Sequence, residues 1–214
     1  MNAPTDGLVC VVDDDGSVRR SLERLIRSWR LRVETFASAK AYLASLEKAA
    51  HEGPSCLVLD VCMPGLDGIH LQQALRDKGV PIIFLTGHGD VPTCATAMKA
   101  GAVDFLTKPV EDELLMAAVG TALRSSLAVQ KAAQDQTAAR ARFETLTARE
   151  AEVMTCVIAG MLNKQIADHL GAAEKTIKVH RGRVMEKMNV YSVADLVRSA
   201  QAIGLKPCAS PPRA

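Results

Sequence analysis

Polar residues interrupt the chain where short apolar runs end. Asp13 and Asp14 follow Leu8 to Val12, Asp60 follows Cys56 to Leu59, Thr86 follows Ile82 to Leu85, and Lys108 follows the run that closes at Leu106. Carboxylates drawn together repel, and the arrangement is tolerable only when a cation neutralises it or a proton is retained. Mg2+, or Mn2+ in its place, suits such a site because it binds one or two carboxylates together with water and phosphate oxygens. Phosphoryl transfer needs that neutralisation, and an Asp carboxylate can act as the nucleophile and carry the phosphoryl group. The residue types therefore assign Asp60 as phosphoacceptor. Asp13 and Asp14, directly or through water, together with Asp60 and the Cys62 backbone carbonyl are assigned as metal ligands. Lys108 is expected to pair with phosphoryl oxygens and Thr86 to donate its hydroxyl to them, with Phe105 moving into the space that Thr86 vacates.

Such a cluster needs elements that carry it to one place. The apolar runs at 8–12, 56–59, 82–85 and 103–106, with a weaker one near 32–36, read as strands. Helical patterns alternate with them near 38–49, 68–77, 91–100 and 111–125, and Val18, Leu22, Leu25, Ile26 and Trp29 mark a helix after the first strand. Apolar strands alternating with helices predict a parallel sheet covered on both faces, a (βα)5 doubly wound α/β domain over 1–125. Ligands of such sheets lie outside the carboxyl ends of the strands, where all the polar residues above fall. Residues 126–145 are rich in Ala, Gln and Arg and are read as a helical linker. An all-α domain of four helices is expected over 146–206. Thr147 and Glu150 form a capping box for its first helix, to about Ala159, and further helices are expected near 163–170, 174–188 and 192–202, punctuated by Gly160, Gly171 and Asn189. Residues 207–214 are read as a disordered tail.

Composition narrows the classes. Of 214 residues, 48% are hydrophobic but only 3% aromatic, so aliphatic side chains must fill the core. Residues 1–125 hold 13 Lys and Arg against 16 Asp and Glu, whereas 126–214 hold 13 against 8, so only the second part suits a polyanion. The six cysteines, at 10, 56, 62, 94, 156 and 208, show no CxxC pair and no Cys/His cluster, so neither a zinc site nor a disulfide framework is expected. No signal peptide or membrane span is indicated, and a cytoplasmic setting is expected.

The expected helix at 174–188 carries Lys175, Lys178, Arg181, Arg183 and Lys187 against Glu174 and Glu186. With Ile177, Val184 and Met188 as the buried stripe, the opposite face holds Lys175, Lys178, Val179, Gly182 and Glu186. Glycine in mid-helix costs about 1 kcal/mol relative to Ala, yet on an exposed face it lets the backbone approach a groove. Lys178 and Val179 are expected to reach base edges, Val179 beside a thymine methyl group. Lys164, Lys175, Thr176 and His180 are expected at phosphates.

Through its first domain the chain resembles the response-regulator receiver family, in Val-Val-Asp13-Asp14-Asp15, Leu-Asp60-Val-Cys-Met-Pro64-Gly-Leu-Asp-Gly68, Thr86-Gly-His-Gly89 and Lys108-Pro109. The runs Gly-His-Gly-Asp-Val-Pro and Met98-Lys-Ala-Gly-Ala-Val-Asp-Phe look like the FixJ branch. The resemblance implies a cis Lys108–Pro109 peptide and a switch and dimer face built from the fourth helix, fifth strand and fifth helix, with Ala95 and Lys99 on it. It also places His88 and Cys62 at positions that influence phosphate lifetime, and Val110 where an aromatic residue is common. The later stretches Leu146-Thr-Ala-Arg-Glu150, Asn163-Lys-Gln-Ile-Ala, Lys175-Thr-Ile-Lys-Val-His-Arg and Met185-Glu-Lys-Met are similar to the LuxR/NarL helix-turn-helix family, with Ala173 where a capping Ser is usual. Together the resemblances imply a non-enzymatic transcription factor. Its implied partners are a sensor histidine kinase, double-stranded promoter DNA, RNA polymerase and, on phosphorylation, a second copy of itself. An aspartyl-phosphate phosphatase of the haloacid-dehalogenase type would have a second Asp where Cys62 stands. A flavodoxin-like cofactor module would not place three Asp in its first loop, and a small-molecule-sensing LuxR regulator has no use for the acidic cluster.

Overall fold

The computed structural model describes residues 7–48, 53–87 and 91–209. The chain divides into two compact units, 1–130 and 131–214.

In the first unit the strands are β1 (Leu8–Val12), β2 (Arg32–Phe36), β3 (Ser55–Asp60), β4 (Ile82–Thr86) and β5 (Asp104–Thr107), all parallel in the order β2-β1-β3-β4-β5. They alternate with α1 (Gly16–Ser28), α2 (Ala39–Lys48), α3 (Gly68–Ala74) and α4 (Val91–Lys99), and α5 (Asp112–Phe143) follows β5. Because side chains point to alternate faces along a strand, two apolar layers form. Cys10, Val12, Leu57, Leu59, Ile82 and Phe84 pack with Tyr42, Leu71, Leu75 and Ala97 from α2 to α4 and the turn after α3. Val9, Val11, Cys56, Val58, Ile83 and Leu85 pack with Leu22 and Ile26 of α1 and with Leu115, Val119 and Leu123 of α5. The expected doubly wound fold is present. The central strands β1, β3 and β4 are buried almost throughout, while the edge strands β2 and β5 are half-exposed, which is why their sequence signal is mixed.

The helical pattern that ends near residue 125 in sequence and the segment read as a linker are one helix, α5. Ser126, buried in that helix, accepts a hydrogen bond at its Oγ from the Ser55 backbone N–H (3.0 Å), and Gln130 donates its side-chain amide to the Gly53 carbonyl (2.7 Å). These contacts carry the first unit beyond the strand-and-helix pattern visible in the sequence.

The second unit contains α6 (Ala148–Ile158), α7 (Asn163–Leu170), α8 (Glu174–Lys187) and α9 (Val193–Ala202) around a core of Val153, Met154, Val157, Ile166, Ile177, Val184, Met188 and Leu196. Thr147 and Glu150 form the expected capping box on α6, and Gly160, Gly171 and Asn189 adopt positive φ at the expected breaks. Residues 205–209 have no regular structure, and the remainder of the expected tail, 210–214, lies outside the described residues. Ala173 caps α8 with extended backbone but offers no side-chain hydrogen bond. Ala173→Ser is therefore expected to stabilise this unit by about 1 kcal/mol, since a capping hydroxyl is worth 0.5–2 kcal/mol. Thermal unfolding of the two proteins measures it, and an unchanged midpoint would show that α8 gains nothing from a capped end.

Candidate functional site

The sheet order reverses direction between β1 and β3, and the crevice of a doubly wound sheet opens at that point. Asp13, one residue past β1, and Asp60, the last residue of β3, lie there, 1% and 6% exposed. Asp14 is exposed beside them. Carboxylate oxygens of Asp13, Asp14 and Asp60 lie within 4.8 Å of one another.

A single cation holds the two buried carboxylates in place. The Lys108 ammonium, reaching in from the end of β5, lies 2.6 Å from Asp13 Oδ2 and 3.0 Å from Asp60 Oδ2. Burial opposes the charge on Lys108, but its hydrogen bonds to Asp13 and Asp60 outweigh that and raise its pKa. Burial raises the pKa of Asp13, and the Lys108 hydrogen bond and the Asp15 N–H only partly offset it. The loop completes the support: the Asp15 N–H donates to Asp13 Oδ1 (2.9 Å) and the Cys62 N–H to Asp60 Oδ1 (3.3 Å). Thr86 is fully buried at the end of β4, and its carbonyl accepts from the Lys108 N–H (2.7 Å), tying two of the expected residues through the backbone. The Lys108–Pro109 peptide is cis, as the family resemblance implies, and Val110 packs against the α1/α5 layer.

The remaining expected residues take various positions. Phe105 is half-buried, its ring 6.0 Å from that of Phe84. Ala95 and Lys99 are exposed on α4, whose buried side is Ala97. Cys62 is exposed. His88 lies outside the described residues.

Three features of the pocket carry weak sequence signals. Asp15 turns away from the cluster and caps α1 through Ser17. Arg19 of α1 donates to the Asp13 carbonyl (2.6 Å), fixing the loop from behind. Gly68 sits so close to β3 that a Cβ there would fall 2.5 Å from the Asp60 carbonyl oxygen, so the loop after Asp60 can close only over glycine.

In the second unit Ile177, Val184 and Met188 are fully buried, as the helical stripe predicts. Lys175, Thr176, Lys178, Val179, Gly182 and Glu186 are exposed, as is Lys164 on α7. Val179 is 49% exposed. A Cβ on Gly182 would meet nothing within 4 Å, so no packing demand within the described residues requires glycine there. His180 is half-buried, and among the described residues its buried Nδ1 has no hydrogen-bond partner. Two cations of the basic helix are structural. Arg181 donates to the Asn163 side chain at the start of α7 (3.0 Å), and Lys187 pairs with the buried Glu150 (2.6 Å) while donating to the Thr145 carbonyl (3.0 Å). Nothing in the residue types distinguishes them from Lys175 or Lys178.

The fold also brings together a Cys/His group that the spacing along the chain does not show: ligand atoms of Cys156 on α6, His169 on α7 and Cys208 after α9 lie within 4.8 Å of one another. Their wide separation along the chain hides it.

Comparison with known proteins follows the same division. Residues 9–120 match the family described as the response regulator receiver domain, and 144–200 match bacterial regulatory proteins of the luxR family. The chain belongs to the response regulator family. Nodulation protein W of Bradyrhizobium diazoefficiens is 46% identical to this regulator over 205 residues, covering 95% of it and 89% of that protein. The transcriptional regulatory protein FixJ of the same organism is 42% identical over 206 residues, covering 94% and 98%. Among solved structures, the response regulator StyR superposes with a TM-score of 0.76 at 45% identity, covering 91% of this regulator and 98% of StyR. Full-length FixJ from B. japonicum gives 0.56 at 41% identity, covering 93% and 98%. The regulator thus joins a receiver domain to a LuxR-type helix-turn-helix DNA-binding domain, and its named relatives include transcriptional regulators. Among the described residues no helix is long and apolar enough to cross a membrane.

An ion pair inside the DNA-binding domain, Glu150 with Lys187, is expected to make the stability of that domain depend on pH. The Lys187 hydrogen bond and the Thr147 N–H hold the Glu150 carboxyl down at about 2 against an ordinary 4.5. A depressed carboxylate pKa contributes stability that is complete above the unfolded value and is lost as pH falls through the folded one. The wild type is therefore expected to unfold at higher temperature than Glu150→Gln at neutral pH, with the gap closing between pH 4.5 and about 2. A gap that persists unchanged to pH 2 would mean that the charge on Glu150 adds nothing.

Proposed function

We propose that a sensor histidine kinase transfers a phosphoryl group to Asp60, and that the phosphorylated regulator pairs with a second copy and governs transcription from promoter DNA in the cytoplasm. The observation that carries this reading is the Lys108 ammonium bridging Asp13 and Asp60 at the switch point of the sheet. A buried acid pair whose two negative charges one lysine offsets only in part is a site prepared to take a further cation and, beside it, a phosphoryl group.

The donor set fits Mg2+ or Mn2+, since the clustered side-chain atoms of Asp13, Asp14 and Asp60 are all hard oxygens, with the Cys62 carbonyl as a further ligand. Held by these residues, such an ion would supply neutralisation of charge on the reacting oxygens. An Asp60 carboxylate oxygen attacks the phosphorus of the kinase's phosphohistidine. The O–P bond forms, the P–N bond breaks, and its electron pair returns to the imidazole. Lys108 then pairs with a phosphoryl oxygen, and Thr86 donates its hydroxyl to another. Phe105 follows Thr86 inward, changing the face formed by α4, β5 and α5. Receivers pair through that face, Ala95 and Lys99 included, in the manner of charge-driven switches generally.

Pairing presents two helix-turn-helix domains to half-sites about one helical turn apart. Lys178 and Val179 read base edges, with the exposed backbone at Gly182 allowing close approach. Lys164, Lys175, Thr176 and His180 hold phosphates. Bound regulator then acts on RNA polymerase. The chemical steps at Asp60 yield a switched transcription factor, so the protein is read as a regulator and not as an enzyme.

Intact mass after incubation with Mg2+ and the cognate kinase or a small phosphodonor tests the first half. Wild type is expected to gain one labile phosphoryl group, mapped to Asp60, and to shift toward dimer, whereas Asp60→Asn gains neither. Dimerisation of Asp60→Asn equal to that of phosphorylated wild type would remove the proposed switch. For the second half, Lys178→Ala is expected to cost about 1–3 kcal/mol of operator binding, the usual value of a base-edge contact, with phosphorylation unchanged. Equal loss on operator and unrelated DNA would make Lys178 a phosphate contact.

A further inference from the structure

The cluster at Cys156, His169 and Cys208 lies in the DNA-binding domain, apart from the acidic pocket and off α8. Cys156 is buried on α6, His169 is exposed on α7, and Cys208 is half-buried in the segment after α9. This segment is held in place: the Cys208 N–H donates to the Thr155 carbonyl (3.1 Å), next to Cys156 in the chain, and Cys208 packs on the domain core. A fourth donor lies alongside, the Met161 thioether sulfur, 3.6 Å from Cys208 Sγ. The backbone bond and core packing thus gather two thiols, an imidazole and a thioether from four parts of the fold.

We infer that Cys156, His169 and Cys208, with Met161 beside them, form a binding site for one sulfur-preferring metal ion, Zn2+ or Cu+. Thiolate and imidazole ligands suit both ions, and a thioether favours Cu+. Metal–sulfur bonds of about 2.3 Å and metal–nitrogen bonds of about 2.0 Å require ligand atoms somewhat closer than the 4.8 Å limit within which these lie. The exposed His169 ring and the half-buried Cys208 side chain can adjust by rotation while the Cys208 backbone stays bonded to Thr155. Each thiol releases its proton to solvent as its sulfur takes the metal. Bound metal fastens the segment after α9 to α6 and α7, so the stability of the DNA-binding domain comes to depend on metal supply.

The test uses the full chain, reduced and freed of metal, under anaerobic conditions. Zn2+ is titrated against a chromophoric chelator and Cu+ against a Cu+-selective one, with Co2+ as an optical substitute for Zn2+. Wild type is expected to take one equivalent of Zn2+ or Cu+ per chain, to show thiolate-to-Co2+ charge-transfer absorption if the ion is Zn2+, and to unfold at higher temperature when loaded. Cys208→Ser, at a half-buried position outside any helix, is expected to keep the metal-free unfolding temperature of wild type while binding at least tenfold more weakly. His169→Ala is expected to weaken binding as well, whereas Cys94→Ser, in the receiver, binds as wild type. Failure of both ions to compete with their chelators, or equal binding by Cys208→Ser and wild type, would overturn the proposal.

Discussion

The receiver is organised around one electrostatic problem. Two carboxylates are buried at adjoining strand ends, with a third at the surface nearby, and burial weakens the screening of the inner pair. The Lys108 ammonium offsets part of it within the chain, at 2.6 and 3.0 Å from the two oxygens. Its position requires β5 to end where β1 and β3 end, which requires all the strands to be parallel and in register, and this in turn requires helices on both faces of the sheet. Arg19, the Asp15 and Cys62 amides and the close approach at Gly68 hold the loops that deliver the acids. The core can therefore be seen as the scaffold of a charge balance, and the proposed phosphorylation as a change in which anions share the lysine.

The DNA-binding domain solves a related problem at a helix end. Glu150 closes the first turn of α6 and is buried, and Lys187 from the last turn of α8 neutralises it. Arg149 donates to the Leu170 carbonyl at the end of α7 (2.6 Å), and Arg181 fastens α8 to the start of that helix. The basic character of α8 is thus divided. Some cations lock the helices together, while Lys175, Lys178 and Arg183 are exposed, the two lysines on the outward face.

The strands and the acidic pocket were legible because each apolar run ends abruptly in a residue that strands do not favour, and because such endings at Asp13, Asp60, Thr86 and Lys108 have one common location in a parallel sheet. The stripe on α8 was legible from helical period alone. What escaped depends on partners that sequence does not supply. Three consecutive Asp look alike until Ser17 claims Asp15 as a helix cap. Lys187 looks like a DNA contact until Glu150 is placed beside it. The end of α5 was blurred because an Ala- and Gln-rich stretch continues a helix without a stop signal, and Ser126 and Gln130 bind back to the receiver by hydrogen bonds with no periodic signature. The cysteine–histidine cluster could not be seen, because its members come from α6, α7 and the segment after α9 and meet only when the domain folds.

Gly182 separates two kinds of selection. Because a methyl group there would meet open space and Ala is a better helix former than Gly by about 1 kcal/mol, a screen of variants that scores only folded protein would favour replacing it. A screen that scores occupancy of DNA would instead favour keeping it, if the outward face of α8 must lie close against a groove. The two rankings of the same substitutions would diverge at this position and agree at Ile177 or Val184, where burial governs both. Divergence between such rankings, mapped along α8, would outline the DNA-facing surface without a structure of the complex.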